Sequence, residues 1–398
     1  MLKELQMYKL TKTEKASFDC LEMVEEVFGL FPELDFKTIS LMGAQHILPS
    51  TLLLLHSLFK RGLDPEKVYL IGKCYSTDIS TYEAMKDVGI KVCPSSITFD
   101  QDQSFDDFYA NAVSAFFENS TRKLRNTETL LLLDDGGELL LKSNAFKNKL
   151  SYHLACVEQT TSGYEKLKKC RIDMPIINVA RSKPKLEQES KIVAKTAINA
   201  IANRMSKGDI RAEKVLIIGN GSIGEAVSDA LEGSCDVYCW DINYKKSQIK
   251  DRELSADLHR FDLILGCTGV TSLNLDALGK LTDKAVLASL SSSDREFDIL
   301  SWRQAIPNSI TCHSDFIGQN GVKVLNCGFP INFNGVTSEV DIPEFQLTRS
   351  LIAGGICQAI TQKDSKGIIP LSSKIEQLIA QVYSHKYHQL QPVLVESL

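Results

Sequence analysis

No run of apolar residues in this 398-residue chain approaches the ~20 that a membrane span needs. Basic charge is not in excess either. Lys and Arg number 45 against 50 Asp and Glu, for a net charge of −5. That balance gives no electrostatic case for nucleic acid or for an anionic membrane surface. Metal-binding spacings are missing: none of the 11 cysteines forms Cys-x-x-Cys, and none of the 7 histidines forms His-x-x-x-His. The cysteines are odd in number and scattered, which reads as reduced thiols in a cytoplasm, most of them core packing. The first residues, MLKELQMYKLTKTEK, lack the apolar core and small-residue site of a secretory signal. There is no low-complexity segment and no internal repeat beyond two units of similar architecture.

What is present fits a globular protein. Hydrophobic residues make up 43% and charged residues 24% of the chain, an ordinary balance for a soluble fold. The length is too great for one ordinary core and suggests two domains.

The run Lys214-Val-Leu-Ile-Ile-Gly219-Asn220-Gly221-Ser222-Ile223-Gly224 is the most informative stretch. A β-rich apolar segment leads into Gly-x-Gly-x-x-Gly, and an amphipathic stretch from Glu225 to Leu231 follows. A second strand, Asp236 to Trp240, ends on Asp241, 22 residues after Gly219. Each part suits a dinucleotide. Gly219 permits the sharp turn, Gly221 lets backbone N–H groups approach a pyrophosphate, and Gly224 lets helix and strand pack closely. The helix N-terminus, with Ser222 and Ile223, adds partial positive charge for the phosphates. Asp241 can accept the ribose hydroxyls and disfavours a 2′-phosphate, so the expected cofactor is NAD.

The remainder alternates strand and helix. Strand patterns lie at 38–42, 67–71, 90–93, 127–133, 154–157 and 175–179, with helical patterns at 49–59, 81–88, 106–118 and 163–169. A long helical pattern over 186–205 has the length to bridge two domains, and Ser206-Lys-Gly-Asp209 is a plausible break after it. Further strands are expected at 261–265 and 285–290, and helices at 353–359 and 374–383. Such alternation implies parallel sheets with function at the carboxyl ends of the strands.

Several blocks carry a resemblance. Leu-Leu-Asp134-Asp135-Gly136-Gly137-Glu138-Leu resembles the Leu-Asp-Asp-Gly-Gly-Asp-Leu signature of S-adenosylhomocysteine hydrolases. Glu158-Gln159-Thr160-Thr161-Ser162-Gly163 resembles that family's Glu-Glu-Thr-Thr-Thr-Gly. Pro175-Ile-Ile-Asn178-Val179, with Lys185 seven residues after the asparagine, matches a third block. Gly43-Ala-Gln-His46 and Tyr75-Ser76-Thr77 match two more, and Asn332 aligns with a cofactor-contacting asparagine. The similarity runs with gaps from about residue 35 to 390.

The resemblance implies an α/β fold of two doubly wound parallel-sheet (Rossmann-like) domains. The NAD-binding domain, residues 191–344, is inserted into a discontinuous substrate domain, residues 1–190 and 345–398. It also implies roles. Thr160, Thr161, Ser162, Thr268 and Asn332 line the cofactor. Lys185 is the base for ribose oxidation, with Glu189 in place of a partner aspartate. Asp135 and His46 serve later proton transfers. Gln159 stands where a ribose-binding glutamate is expected, and Ser50 where a glutamate reads adenine. Leu48, Ala180, Ser190 and Ser292 are further departures. The implied substrate is therefore a small nucleoside-like molecule that differs from S-adenosylhomocysteine at the base end, and the implied assembly is a homo-oligomer.

Spacing alone leaves other readings open. Lys185 and Glu189 also suit a solvated helix start with an i, i+4 pair. His46 also suits a satisfied core position, and Thr160 a helix cap. Two functions remain: an NAD-dependent enzyme oxidising a ribose-like substrate, or an NAD-binding regulatory or partner-binding protein with a degraded substrate site.

Overall fold

The computed structural model describes residues 21–208, 211–249, 254, 257–335, 342–362 and 365–387. The amino-terminal stretch read for a signal, and Asp209 of the expected break, lie outside them. The chain divides into two compact units. The described residues of Met1–Ile97, Ala112–Leu186 and Thr337–Leu390 form the first, and those of Thr98–Asn111 and Glu187–Val336 the second.

The first unit is built on a seven-stranded sheet. Its strands are β1 (Ile39–Ala44), β2 (Val68–Ile71), β3 (Lys91–Val92), β4 (Thr129–Asp134), β5 (His153–Glu158), β6 (Pro175–Asn178) and β13 (Gly367–Pro370). Their order is β3-β2-β1-β4-β5-β6-β13, and every pairing is parallel. A parallel strand covered on both faces reads as a continuous apolar run. β4, with four leucines in succession, is such a strand and is buried from Leu130 to Asp134. Helices α1 (Glu22–Gly29), α2 (Pro49–Phe59), α3 (Ile79–Asp87), α5 (Glu138–Phe146), α6 (Thr161–Leu167), α11 (Ile342–Thr361) and α12 (Ser373–Tyr387) belong to this unit. Their starts follow local chemistry. Pro49 opens α2, where its missing N–H costs nothing. Asp78 caps α3 by accepting from the Thr81 N–H at 2.6 Å. Leu41, Leu54, Leu55, Leu58, Leu131 and Ile356 are among the fully buried residues of the core.

The second unit has a six-stranded sheet of β7 (Lys214–Ile218), β8 (Asp236–Trp240), β9 (Leu263–Gly266), β10 (Val286–Ser289), β11 (Phe316–Ile317) and β12 (Lys323–Val324). The order is β8-β7-β9-β10-β12-β11, parallel except for the antiparallel edge pair of β11 and β12. Helices α7 (Ser190–Lys207), α8 (Ser222–Leu231), α9 (Leu275–Leu278) and α10 (Leu300–Gln304) accompany it. Both sheets are therefore α/β, parallel-dominated and Rossmann-like.

The long helical pattern over 186–205 divides in two. Lys185–Glu189 forms one π-helical turn, and α7 starts only at Ser190. Helix α4 (Phe105–Thr121) starts in the short segment Thr98–Asn111 that groups with the second unit. The reason for that grouping is a buried guanidinium. Arg303 is 1% exposed and pairs with Asp294 at 2.8 Å. It also donates to the carbonyls of Gln101, at 2.9 Å, and Gln103. Asp294 in turn accepts from the Phe105 N–H at 3.2 Å. Burial pushes the Asp294 carboxyl up, against the pull of Arg303.

Arg303→Met should therefore strand a buried Asp294 and release 98–111. Denaturant unfolding should show a loss of about 3–5 kcal/mol, with faster proteolysis between residues 98 and 111. An unfolding midpoint equal to that of the parent would refute the assignment.

Candidate functional site

In an open parallel sheet, groups gather at the carboxyl ends of strands where the strand order reverses. In the first unit that point lies between β1 and β4. The loop after β1 carries His46, and the loop after β4 carries Asp135. The ladder runs past the strand ends and fixes both loops. The Asp135 N–H donates to the Ala44 carbonyl at 2.9 Å, and the Gln159 N–H to the Asp134 carbonyl at 3.1 Å.

Three strand ends bring their side chains to the carboxylate carried by a fourth. Lys73, after β2, donates its ammonium to Asp135 Oδ1. Gln159, after β5, donates from Nε2 to Oδ2 at 2.7 Å. His46 Nε2 lies 3.3 Å from the same oxygen. His46 Nδ1 meets the hydroxyl of Ser76. Lys73, Ser76, Asp135 and Gln159 are each 5% exposed or less. Burial opposes ionisation of Asp135, but His46 and Lys73 outweigh it and hold the carboxyl well below its ordinary range. Burial pushes the His46 imidazole down, with Lys73 and Arg349 acting in the same direction against Asp135. An ionised Asp135 has no proton to give, so the neutral imidazole carries its proton on Nε2, and Nδ1 accepts from Ser76.

Other expected residues surround this group. Thr51 donates its hydroxyl to the His46 carbonyl at 2.7 Å. Ser50 accepts from Arg349 at 2.9 Å, and Arg349, on α11, also donates to Thr51 Oγ1 at 3.0 Å. The Thr160 hydroxyl caps α6, accepting from Gly163 N at 3.0 Å and donating to Glu158 at 2.6 Å. Thr161 is exposed and Ser162 half-buried on the first turn of α6. Lys185 and Glu189, both half-buried, end the π-helical turn, within which the unit boundary falls. Direct contacts thus join His46, Asp135 and Gln159.

In the second unit the strand order reverses between β7 and β9. Gly219, after β7, has φ +94°, which a side chain rarely adopts. A Cβ on Gly224 would collide with the Gly219 carbonyl oxygen, so only glycine lets α8 approach β7 this closely. Gly221 differs: a Cβ there would meet nothing within 4 Å. Space is open above the exposed Gly221 and Ser222, at the start of α8, with Ile223 half-buried beside them. Asp241 ties the turn together. It accepts from the N–H groups of Asn220 and Asn243, each at 2.7 Å, and is half-buried.

Two further loops follow. Thr268, after β9, donates its hydroxyl to Glu296 at 2.8 Å. Glu296 is fully buried and also accepts from Gly269 N, at 3.0 Å, and from Ser291. Burial raises its carboxyl. Asn332 is half-buried on a loop gathered by Asn326, whose Nδ2 donates to the carbonyls of Pro330 and Phe333 at 3.0 Å. Arg204 clamps the same loop through Asn326, the Asn334 carbonyl and Asp315.

Sequence reasoning missed Lys73, Arg349, Glu296, Arg204 and Asn326. Only Lys73 had a visible signal, since a lysine directly after an apolar strand sits at the sheet edge where sites form. Among the described residues no group of three His, Cys, Asp or Glu side chains could hold a metal ion, and no helix is long and apolar enough to cross a membrane. The 10 described cysteines are free thiols.

No known family model matches the chain. Two uncharacterized Mycobacterium tuberculosis proteins, one from each of two strains, are 36% identical over 329 residues, covering 81% of this chain. The chain spans 64% of the length of these relatives. Among solved structures, an NAD⁺-bound 3-phosphoglycerate dehydrogenase from Entamoeba histolytica aligns at a TM-score of 0.40 and 10% identity, over 81% of this chain and 96% of that one. A dipicolinate synthase A chain from Bacillus subtilis aligns at 0.33 and 11%, over 83% and 97%.

The Asp135 network makes a testable claim about charge. Lys73→Met removes one of the cations that hold His46 low, so the imidazole pKa should rise when followed by NMR. Stability should fall by roughly 3 kcal/mol as a buried carboxylate loses its ammonium partner. An unmoved His46 titration would show that Lys73 does not set its charge.

Proposed function

We propose that the chain is an NAD-dependent enzyme similar to S-adenosylhomocysteine hydrolases, acting on the ribose of a nucleoside-like substrate. The observation that carries this reading is the Gly219–Gly224 turn. A Cβ at Gly219 would crowd Thr268 and Cys267, and one at Gly224 would strike the Gly219 carbonyl, yet space is open at Gly221, where a pyrophosphate needs it. These residues fit the cofactor. Gly219, Gly221, Ser222, Ile223 and Gly224 would hold the diphosphate, and Asp241 the adenosine ribose. Thr160, Thr161, Ser162, Thr268 and Asn332 would line the rest. Bound there, NAD would supply a hydride acceptor for an alcohol carbon.

The remaining work falls to side chains of the chain itself. In this reading Lys185 takes the hydroxyl proton, with Glu189 orienting it. Gln159 and Ser50 contact the substrate. Asp135 stays ionised beside Lys73, and its charge favours a His46 that is neutral at rest accepting a proton and then returning it. Ser50 takes a hydrogen bond from Arg349, which favours a substrate group rich in acceptors at that end. The protein would work as a cytoplasmic homo-oligomer.

One observation favours the second reading, an NAD-binding regulatory protein. Both nitrogens of His46, both oxygens of Asp135 and the Thr160 hydroxyl already have partners within the fold. Proton transfer by His46 or Asp135 requires a substrate that displaces at least one of these partners.

Calorimetry with NAD tests the cofactor. The parent should bind, and Gly221→Val should weaken binding at least about tenfold by filling the phosphate space, with its melting temperature unchanged. No NAD or NADH binding by the folded parent would end the proposal. Absorbance of the reduced cofactor across a panel of nucleosides and thioether nucleosides tests the chemistry. Reduction that Lys185→Ala abolishes supports the enzyme, whereas NAD binding without reduction by any substrate supports the regulatory reading.

A further inference from the structure

We propose that Asp134 and Glu158 hold a single proton between them, and that this proton fastens together the two loops that carry Asp135 and Gln159. The pair forms independently of any cofactor or substrate.

The two carboxyls stand opposite one another, in register on the parallel strands β4 and β5. Residues paired in this way point to the same face, with strands about 4.8 Å apart. Both side chains are fully buried, at 0% exposure. Each is satisfied on one oxygen only. Asp134 Oδ2 accepts from the Leu140 N–H at 2.8 Å. Glu158 Oε1 accepts from Thr160 N at 2.8 Å, from Thr160 Oγ1 at 2.6 Å and from Gly136 N at 3.4 Å. Asp134 Oδ1 and Glu158 Oε2 are buried with no hydrogen-bond partner. The first turn of α6 closes over Glu158 so tightly that a Cβ on Gly163 would strike its carboxyl group.

Two buried anionic oxygens without partners, on residues paired across neighbouring strands, are untenable. One proton resolves both. A carboxylic acid O–H on one residue donates to the carboxylate oxygen of the other, and the pair carries a single negative charge. Burial pushes Asp134 to about 7, against the Leu140 N–H and Lys73, and pushes Glu158 well above its ordinary value, with the charge of Asp134 acting in the same direction. The groups facing the pair are Lys73, which favours ionisation of Asp134, Asp135 and Glu138, which oppose it, and the buried Cys156 thiol on β5. The consequence reaches the site through backbone bonds. Glu158 holds Gly136 and Thr160, the neighbours of Asp135 and Gln159, while Asp134 holds the first turn of α5. These are positioning residues: they touch no reacting group but set where Asp135 and Gln159 stand.

The direction with pH follows from linkage. Folded carboxyls raised above their unfolded value of about 4 keep a proton that the unfolded chain gives up. The stability this contributes is full below that value and is lost as pH rises through about 7 for Asp134.

Infrared spectroscopy of the full chain at neutral pH tests the proposal, through the C=O band of a protonated carboxylic acid. The parent should show the band. Asp134→Asn should lose it yet fold, because the amide N–H donates to Glu158 as the shared proton did. Glu158→Gln should behave alike and serves as the independent variant. Between about pH 5 and about pH 8 the melting temperature of the parent should fall more steeply than that of Asp134→Asn. Asp134→Ala should lower it at every pH, and Asn should restore it. Absence of an acid band in the parent, its survival in both amide variants, or equal pH slopes would overturn the inference.

Discussion

Charge burial governs the first unit. Parallel strands end in a layer where water is scarce, and this chain buries three acids there, at the ends of two neighbouring strands: Asp134, Asp135 and Glu158. Each is compensated differently. Asp135 is paired with an ammonium, an amide and an imidazole. Asp134 and Glu158 face one another and are tied to backbone N–H groups. Removing water makes each compensation matter more, because an unmatched charge in a low dielectric costs far more than at a surface. The positions of Lys73, Gln159, His46 and Thr160 are thus set by one electrostatic requirement.

Topology explains why those residues meet. In a doubly wound sheet the loops on either side of the reversal diverge to opposite faces and leave a crevice between them. In the first unit His46 and Asp135 occupy that position, and Lys73 and Gln159 come from the next strand on each side. In the second unit Gly219 and Thr268 occupy the equivalent position. A fold that repeats this architecture offers the same kind of edge twice, and the residues there decide what each edge does. The first edge is rich in ionisable groups. The second is a backbone surface with a glycine left open and a helix N-terminus behind it.

The loops of the second unit depend on buried polar anchors rather than on apolar packing. Glu296 gathers Thr268, Gly269 and Ser291, and Arg204 with Asn326 gathers the loop of Asn332. Arg303 and Asp294 do the same for 98–111. Such anchors give a loop one conformation, because a half-satisfied buried charge is worse than none.

Sequence alone determined the alternation of strand and helix, since four consecutive leucines before Asp134 and the Lys214–Ile218 run are legible from hydrophobic period. It also determined the shape of the glycine turn, because a positive φ and a helix touching a strand leave only one residue type possible. Single-residue patterns could not reveal partners far apart in the chain. Lys73 and Asp135 are 62 positions apart, Ser50 and Arg349 299, and Arg204 and Asn326 122. The edge strand β13 and the attachment of 98–111 were equally hidden, because a short segment joins a sheet or a unit by contacts it does not itself encode. Which acid is ionised and which shares its proton was settled only when folding removed water and chose the neighbours, for a carboxyl's charge is a property of its surroundings.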